Sequence, residues 1–183
     1  MSFAGVAVFP TFDEAIPIDE SESRDRQGPA IRLRPANRDE AGVVAALQRR
    51  VRDDFWELDV WRRELARPQT IVWLAESETE GRPVAFLAMW RVLDRLEIVD
   101  IVVEPPFRRS GIATSMLEAA IGIGGARGVR QIVLEVRSEN RPAKRLYEEL
   151  GFEWLDGPGG EEGGDGDSVR RMVLSIGDQI VDF

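Results

Sequence analysis

Three apolar runs follow one another between Thr70 and Val103: "TIVWLAES", "RPVAFLAMWRV" and "RLEIVDIVV". Each has strand length, and the breaks between them are short and polar, "ETEG" with Gly81 and then "LD" ahead of Arg95. That pattern predicts an antiparallel meander. Upstream, "AIRLRPA" alternates around Ile31 and Leu33 and predicts one more strand. "NRDEAGVVAALQRRV" then places Val43, Val44, Leu47 and Val51 at helical spacing, with Asn37 or Asp39 as the cap. A second short helix is predicted across "LDVWRRELA", where Val60, Trp61, Glu64 and Leu65 share one side.

Beyond the meander the period becomes helical through Met116, Leu117, Ala120 and Ile121. "RQIVLEVR" returns to alternation, with Ile132, Leu134 and Val136 on one face. Strand, helix and strand in that order imply a right-handed crossover and a parallel pair. "NRPAKRLYEEL" predicts another helix, stopped by Gly151, and "FEWLD" and "SVRRMVLSI" predict two last strands. The fold class is therefore α/β, a mixed α+β arrangement. Its sheet has about seven strands, antiparallel first and parallel in the middle, with helices on both faces. Gly122, Gly124 and Gly125 each cost a helix about 1 kcal/mol against alanine, so a frayed end closed by Gly128 is expected.

The 183 residues suffice for one domain with a proper core. Residues 31–183 are read as that domain and residues 1–30 as an extension, because "DEAIPIDESESRDRQGP" is too polar to bury much. A net charge of −9 argues against a broad nucleic-acid surface and weakly favours cationic partners such as amines or basic peptides. With no cysteine and no histidine, disulfides, thiolate sites, a cysteine nucleophile and the commonest general base are all excluded. Chemistry must run on carboxylates, tyrosine, backbone groups or water, and no metal is expected. No run approaches the roughly 18 apolar residues of a membrane span, and "MSFAGVAVFP" lacks a cationic flank. The expectation is a cytoplasmic protein with no membrane partner.

The stretch "IVVEPPFRRSGIATSML" leaves a buried strand and enters a helix through a turn that carries a glycine and two arginines. Unpaired N–H groups at a helix start make a phosphate site. Gly111 admits close approach, and Arg108 and Arg109 add charge-assisted bonds. No Gly-Lys-Ser/Thr follows, so this is not a Walker loop, and "GIGGARG" has Arg127 where a dinucleotide fingerprint needs its third glycine. On spacing alone, a plain connection with surface arginines stays equally open. The turn nevertheless resembles the acetyl-CoA signature of the GCN5-related N-acetyltransferases, V-x-P-x-x-R-x-x-G-x-G/A. Val103, Pro105, Arg108, Gly111 and Ala113 match it. The resemblance runs from about Ile31 to Ile176 and includes the element order. It implies that the loop Arg108, Arg109, Ser110, Gly111, Ile112, Ala113 and Thr114 holds the coenzyme A pyrophosphate. It also implies that Ile101, Val102 and Val103 pair with the pantetheine arm like an added strand, and that a bulge there aims an N–H at the thioester oxygen.

Two further residues stand out. Glu135 is an ionisable group in a predicted central strand, readable as a partner of a nearby arginine. Tyr147 shares a helical stripe with Ala143, Leu146 and Leu150, readable as core, yet it is the only tyrosine beside eight phenylalanines. "LEVRSENRPAKRLYEELGFE" is similar to the matching block of ribosomal-protein alanine N-acetyltransferases, the RimI-type branch, as "DDFWELDVWRREL" is more loosely. That similarity implies Glu135 as base, Tyr147 as acid toward the coenzyme A sulfur, and Asn140 as a cofactor contact. One departure is "GPGGEEGGDGD", where that branch usually carries tyrosines that grip a peptide. This segment reads as a solvated linker or as an acidic lip. The expected function is an acetyl-CoA-dependent N-acetyltransferase acting on a primary amine, first a protein N-terminal α-amine. A small-molecule amine or aminoglycoside is the alternative acceptor, and a non-catalytic acyl-CoA-binding module the alternative class.

Overall fold

The computed structural model describes residues 30–155 and 169–177. The extension and the acidic glycine-rich segment 157–167 lie outside them. Capping chemistry starts the first helical unit. Asn37 Oδ1 accepts from Asp39 N–H, while the Glu40 carboxylate accepts from Asn37 N–H. This capping box over the 3-10 turn Arg38–Glu40 leads into α1, Ala41–Arg49. Of the two cap candidates, Asn37 serves. α1 ends before Val51, so its buried face is Ala41, Val44, Leu47 and Gln48, with Val43 only half-buried. α2, Leu58–Leu65, buries Trp61 and Glu64 as its spacing predicts.

The strands β1 (Ile31–Pro35), β2 (Thr70–Ser77), β3 (Arg82–Val92) and β4 (Arg95–Val103) form the predicted meander. α3, Ile112–Ala126, crosses over to β5, Gln131–Arg137, which runs parallel to β4. α4, Arg141–Glu149, leads to β6 (Glu153–Trp154) and β7 (Val169–Ser175). All seven strands join one sheet in the order β1-β2-β3-β4-β5-β7-β6. Alternation sorts the faces. Val72, Leu74, Phe86, Ala88 and Val102 pack under α1 and α2. Trp73, Leu87, Met89, Leu96, Ile98, Ile132 and Leu134 pack with α3 and α4 on the other side. Among the described residues no helix is long and apolar enough to cross a membrane.

The α3 glycines correct one expectation. The helix does not fray at them but continues to Ala126, and Gly128 closes it at φ +73. A Cβ on Gly124 would lie 3.4 Å from Val129 Cβ and 3.5 Å from Leu96 Cδ1, and one on Gly125 3.3 Å from Ile176 Cγ2. Small residues here let the end of α3 lie close against the sheet and the chain after β7. Gly122 meets nothing within 4 Å, and nothing in the structure explains it.

β4 and β5 decide where the site lies. Their pairing is confined to Arg95–Ile98 against Gln131–Leu134. Opposite β3, Met89 pairs with Ile98 but Ala88 with Asp100, so Val99 is a bulge residue that bends β4. Past it, among the described residues, Asp100–Val103 pair only with β3 and Glu135–Arg137 only with β7. The two strands open like a V, and each turns an unpaired edge toward the gap.

Candidate active site

An open cleft of about 1120 Å³ occupies this V and runs from the end of β5 to the start of α3. One end of it is built by the turn after β4. Pro105–Phe107 form a 3-10 turn, and Arg108 is tied back by its Nε to Val103 O at 3.1 Å. Arg109 and Gly111 then take positive φ, +61 and +85. Gly111 at the N-cap has no side chain to cap α3, which leaves its first N–H groups without a side-chain cap there among the described residues. Arg108, Arg109, Gly111, Ile112, Ala113 and Thr114 all line it. Ser110 does not: its hydroxyl donates to Phe107 O and holds the turn. Glu104, on which the turn hangs, is buried and takes ion pairs from Arg50 and Arg82. Burial pushes this carboxyl up, but those arginines prevail and hold it below its ordinary range.

Along one wall, Ile101, Val102 and Val103 present the free edge of β4. Opposite stand Glu135, Asn140 and Tyr147. Asn140 also caps α4, accepting from Ala143 N–H at 3.2 Å, which fixes its rotamer and leaves its amide nitrogen to donate. Tyr147 is 5% exposed, with its ring tilted against Phe152 at 5.8 Å. Burial, then the charge of Asp100, pushes its hydroxyl up to about 12. Glu135 sits in a central strand but on the face that α1 and α2 leave open. Its cross-strand neighbour Arg171 binds it through Nε and Nη2, both at 2.9 Å.

A polar chain borders the mouth. Gln48 accepts from Trp56 N–H (2.8 Å) and Trp61 Nε1–H (3.0 Å) and donates to Asp100 Oδ2 (2.7 Å). Arg52 donates to Asp100 Oδ1 at 2.9 Å and grips Asp54 with two bonds, and Arg137 on β5 reaches Asp54 at 2.7 Å. The Arg52 hydrogen bond, ahead of a smaller opposing effect of burial, holds the Asp54 carboxyl at about 2. Sequence reasoning missed Asp100, Arg52, Asp54 and Gln48. The available signal was the single acid interrupting the apolar run "IVDIVV".

Backbone donors at one end, a free strand edge along the middle and a buried hydroxyl near carboxylates at the other suit an extended phosphorylated thioester and an amine. The sequence profile described as the Acetyltransferase (GNAT) family matches residues 37–152. The [ribosomal protein bS18]-alanine N-acetyltransferase of Escherichia coli K12 is 40% identical over 72 residues, 39% of this chain and 49% of that protein. The chain thus matches about half the length of that relative. Among solved structures, the ribosomal-protein-S18-alanine N-acetyltransferase from Escherichia coli superposes with a TM-score of 0.70 at 23% identity, covering 80% of this chain and 94% of that one. Arabidopsis thaliana NAA60 in complex with acetyl-CoA gives 0.66 at 18% identity, covering 80% and 99%. These two likenesses show the fold.

Proposed function

Because the chain belongs to the acetyltransferase (GNAT) family, we propose that it is an acetyl-CoA-dependent N-acetyltransferase whose acceptor is a protein N-terminal α-amine. One observation carries the reading: the splayed β4 edge and the uncapped start of α3 line a single cleft with Tyr147 and Glu135. The bS18-alanine N-acetyltransferase relative supplies the acceptor class.

In this reading the cosubstrate supplies a thioester carbonyl that an amine can attack. The N–H groups from Arg109 to Thr114 hold the pyrophosphate, and Arg108 and Arg109 add charge. The Ile101–Val103 edge pairs with the pantetheine amides, and the bulged backbone beside Val99 polarises the carbonyl oxygen. The resemblance offers Glu135 for the amine proton, and Asn140 donates to the cofactor. With its hydroxyl at about 12, Tyr147 keeps its proton throughout the working range. Handing that proton outright to a thiolate, whose reference value is about 8.5, would run uphill by roughly 3.5 pK units. Tyr147 therefore acts as a hydrogen-bond donor to the departing sulfur. This refines the acid role.

A peptide α-amine, reference pKa near 8, is roughly a tenth neutral at pH 7, whereas lysine near 10.4 is under about a thousandth neutral. The test is acetyl-CoA turnover on matched peptides and on small amines. A peptide with a free N-terminus should outcompete the same peptide blocked there and carrying lysine. Preference for the lysine peptide or for a small amine would refute the acceptor. Coenzyme A binding without turnover of any amine would leave only a binding module.

A further inference from the structure

On the reading just given, an amine must lose a proton before it attacks, and the sequence puts forward Glu135. A second carboxylate lies deeper in the same cleft. In β4, Leu96 and Ile98 face α3 and α4. Unbroken alternation would send residue 100 the same way. The Val99 bulge reverses the parity: Ile101 and Val103 now face α3 and α4, while Val102 packs under α1 and α2. Asp100 therefore points to the α1–α2 face, like its β3 partner Ala88 and like Glu135 across the opening. Its side chain is 9% exposed, against 56% for Glu135.

The carboxylate is held still. Oδ2 accepts from Gln48, whose amide orientation is fixed by Trp56 and Trp61, and Oδ1 accepts from Arg52, itself gripped by Asp54. The Ile101 backbone N–H also bonds the carboxylate, so of its roughly four acceptor sites one is left for an amine. Asp100 is also near enough to Tyr147 for its charge to act on that hydroxyl, so the two address the same space.

The geometry points to Asp100 as the catalytic group that receives the acceptor amine's proton, with Glu135 nearer the exit to solvent. One N–H proton of R–NH3+ passes to an Asp100 oxygen and leaves R–NH2 and a neutral carboxyl group. The new C–N bond replaces the C–S bond, and a second N–H proton accompanies the departing sulfur. Asp100 then returns its proton to solvent. Burial pushes the Asp100 carboxyl above its ordinary range in spite of Arg52 and Gln48, which suits it to take a proton from an amine. The polar groups facing it are Gln48 of α1, Arg52 and Asp54 of the turn after it, Tyr147 of α4, and Glu135 and Arg137 of β5. Its register partner on β3 is Ala88.

The experiment measures kcat/KM from pH 6 to 9 for wild type, Asp100→Asn, Glu135→Gln and the double variant. The acceptors are N-terminal peptides and a series of amines of falling pKa. Coenzyme A titration and melting temperature establish that each variant is folded. Asp100→Asn should lose roughly a hundredfold at pH 7. At least about tenfold of that should return near pH 9, or with an amine already neutral at pH 7. Adding Glu135→Gln should cost little more. A defect that is constant across pH and amine pKa overturns the proposal, as does a variant whose melting temperature alone falls. Should Asp100→Asn fail to fold, Arg52→Met removes a cation from Asp100 and must move the acidic limb of the profile upward; an unmoved limb overturns it too. Wild-type protein that acetylates no amine in the series would instead refute the underlying function, and this proposal with it.

Discussion

Replacing Gly111 with valine asks whether the turn before α3 holds a pyrophosphate. The residue sits at φ +85 and ψ −4, where an L side chain costs roughly 1–2 kcal/mol and a β-branched one more. The chain has two responses. It can stay left-handed and carry the strain, or it can rotate to negative φ and swing the first N–H groups of α3 out of line with Arg109, itself at +61. The second response removes the anion site. If the bound state must restore the left-handed turn, the same 1–2 kcal/mol is charged to binding, and about 1.4 kcal/mol is tenfold. Coenzyme A should then bind roughly five- to thirtyfold more weakly to Gly111→Val in a calorimetric titration. Pantetheine, which lacks the pyrophosphate, should lose less than about twofold. Equal losses for the two ligands would move the defect to the β4 edge, and unchanged coenzyme A affinity would remove the turn from the site.

Tyr147→Phe keeps the ring against Phe152, so the melting temperature should barely move while turnover falls roughly a hundredfold; a drop in melting temperature with full turnover would make Tyr147 a core residue. Gly122→Ala should stabilise by about 1 kcal/mol in denaturant titration, and Gly125→Ala by clearly less, because its Cβ would meet Ile176 at 3.3 Å. Arg34 grips Glu40 with two bonds and Glu76 with one; Arg34 first at Glu40, and Arg32 first and then Arg34 at Glu76, hold these carboxyls below their ordinary value. Depressed carboxyl values give stability that is present above about pH 4.3 and lost as pH falls through the folded values. Arg34→Met should therefore narrow the gap between melting temperatures at pH 7 and pH 3, and an unchanged gap would refute the assignment.

The meander, the crossover and both helical faces were legible because each element carries its own period. Ile132, Leu134 and Val136 alternate over a strand of seven residues, and Tyr147 falls on the buried stripe of α4. The turn before α3 was legible as a candidate phosphate site because its chemistry is local: one glycine, two arginines and a helix start lie within a few residues. The opposite end of the cleft was not. Asp100 faces it only because a bulge at Val99 inverts the facing of β4, and a bulge depends on how two strands register rather than on either sequence. Arg52 meets Asp100, and Arg137 meets Asp54, across long separations, which no local pattern encodes. The α3 glycines were misread for the same reason. Helix propensity is a local quantity, whereas their neighbours Leu96 and Ile176 come from remote parts of the chain.

β7 lies between β5 and β6 although it follows both in the chain. A ribosome delivers β1 to β5 first, and they can zip together by near-neighbour pairing while β5 keeps a bare edge. The partner for that edge arrives after β6 and must slide into a slot rather than extend a border. It brings Arg171 to Glu135 and Met172 to Leu134 in one motion. That wall of the cleft is therefore finished only once β7 has been made, by long-range contacts that are slow to form. A nascent chain stalled before Val169 would expose an apolar strand edge next to a half-built cleft, ready to pair with any other strand that passes.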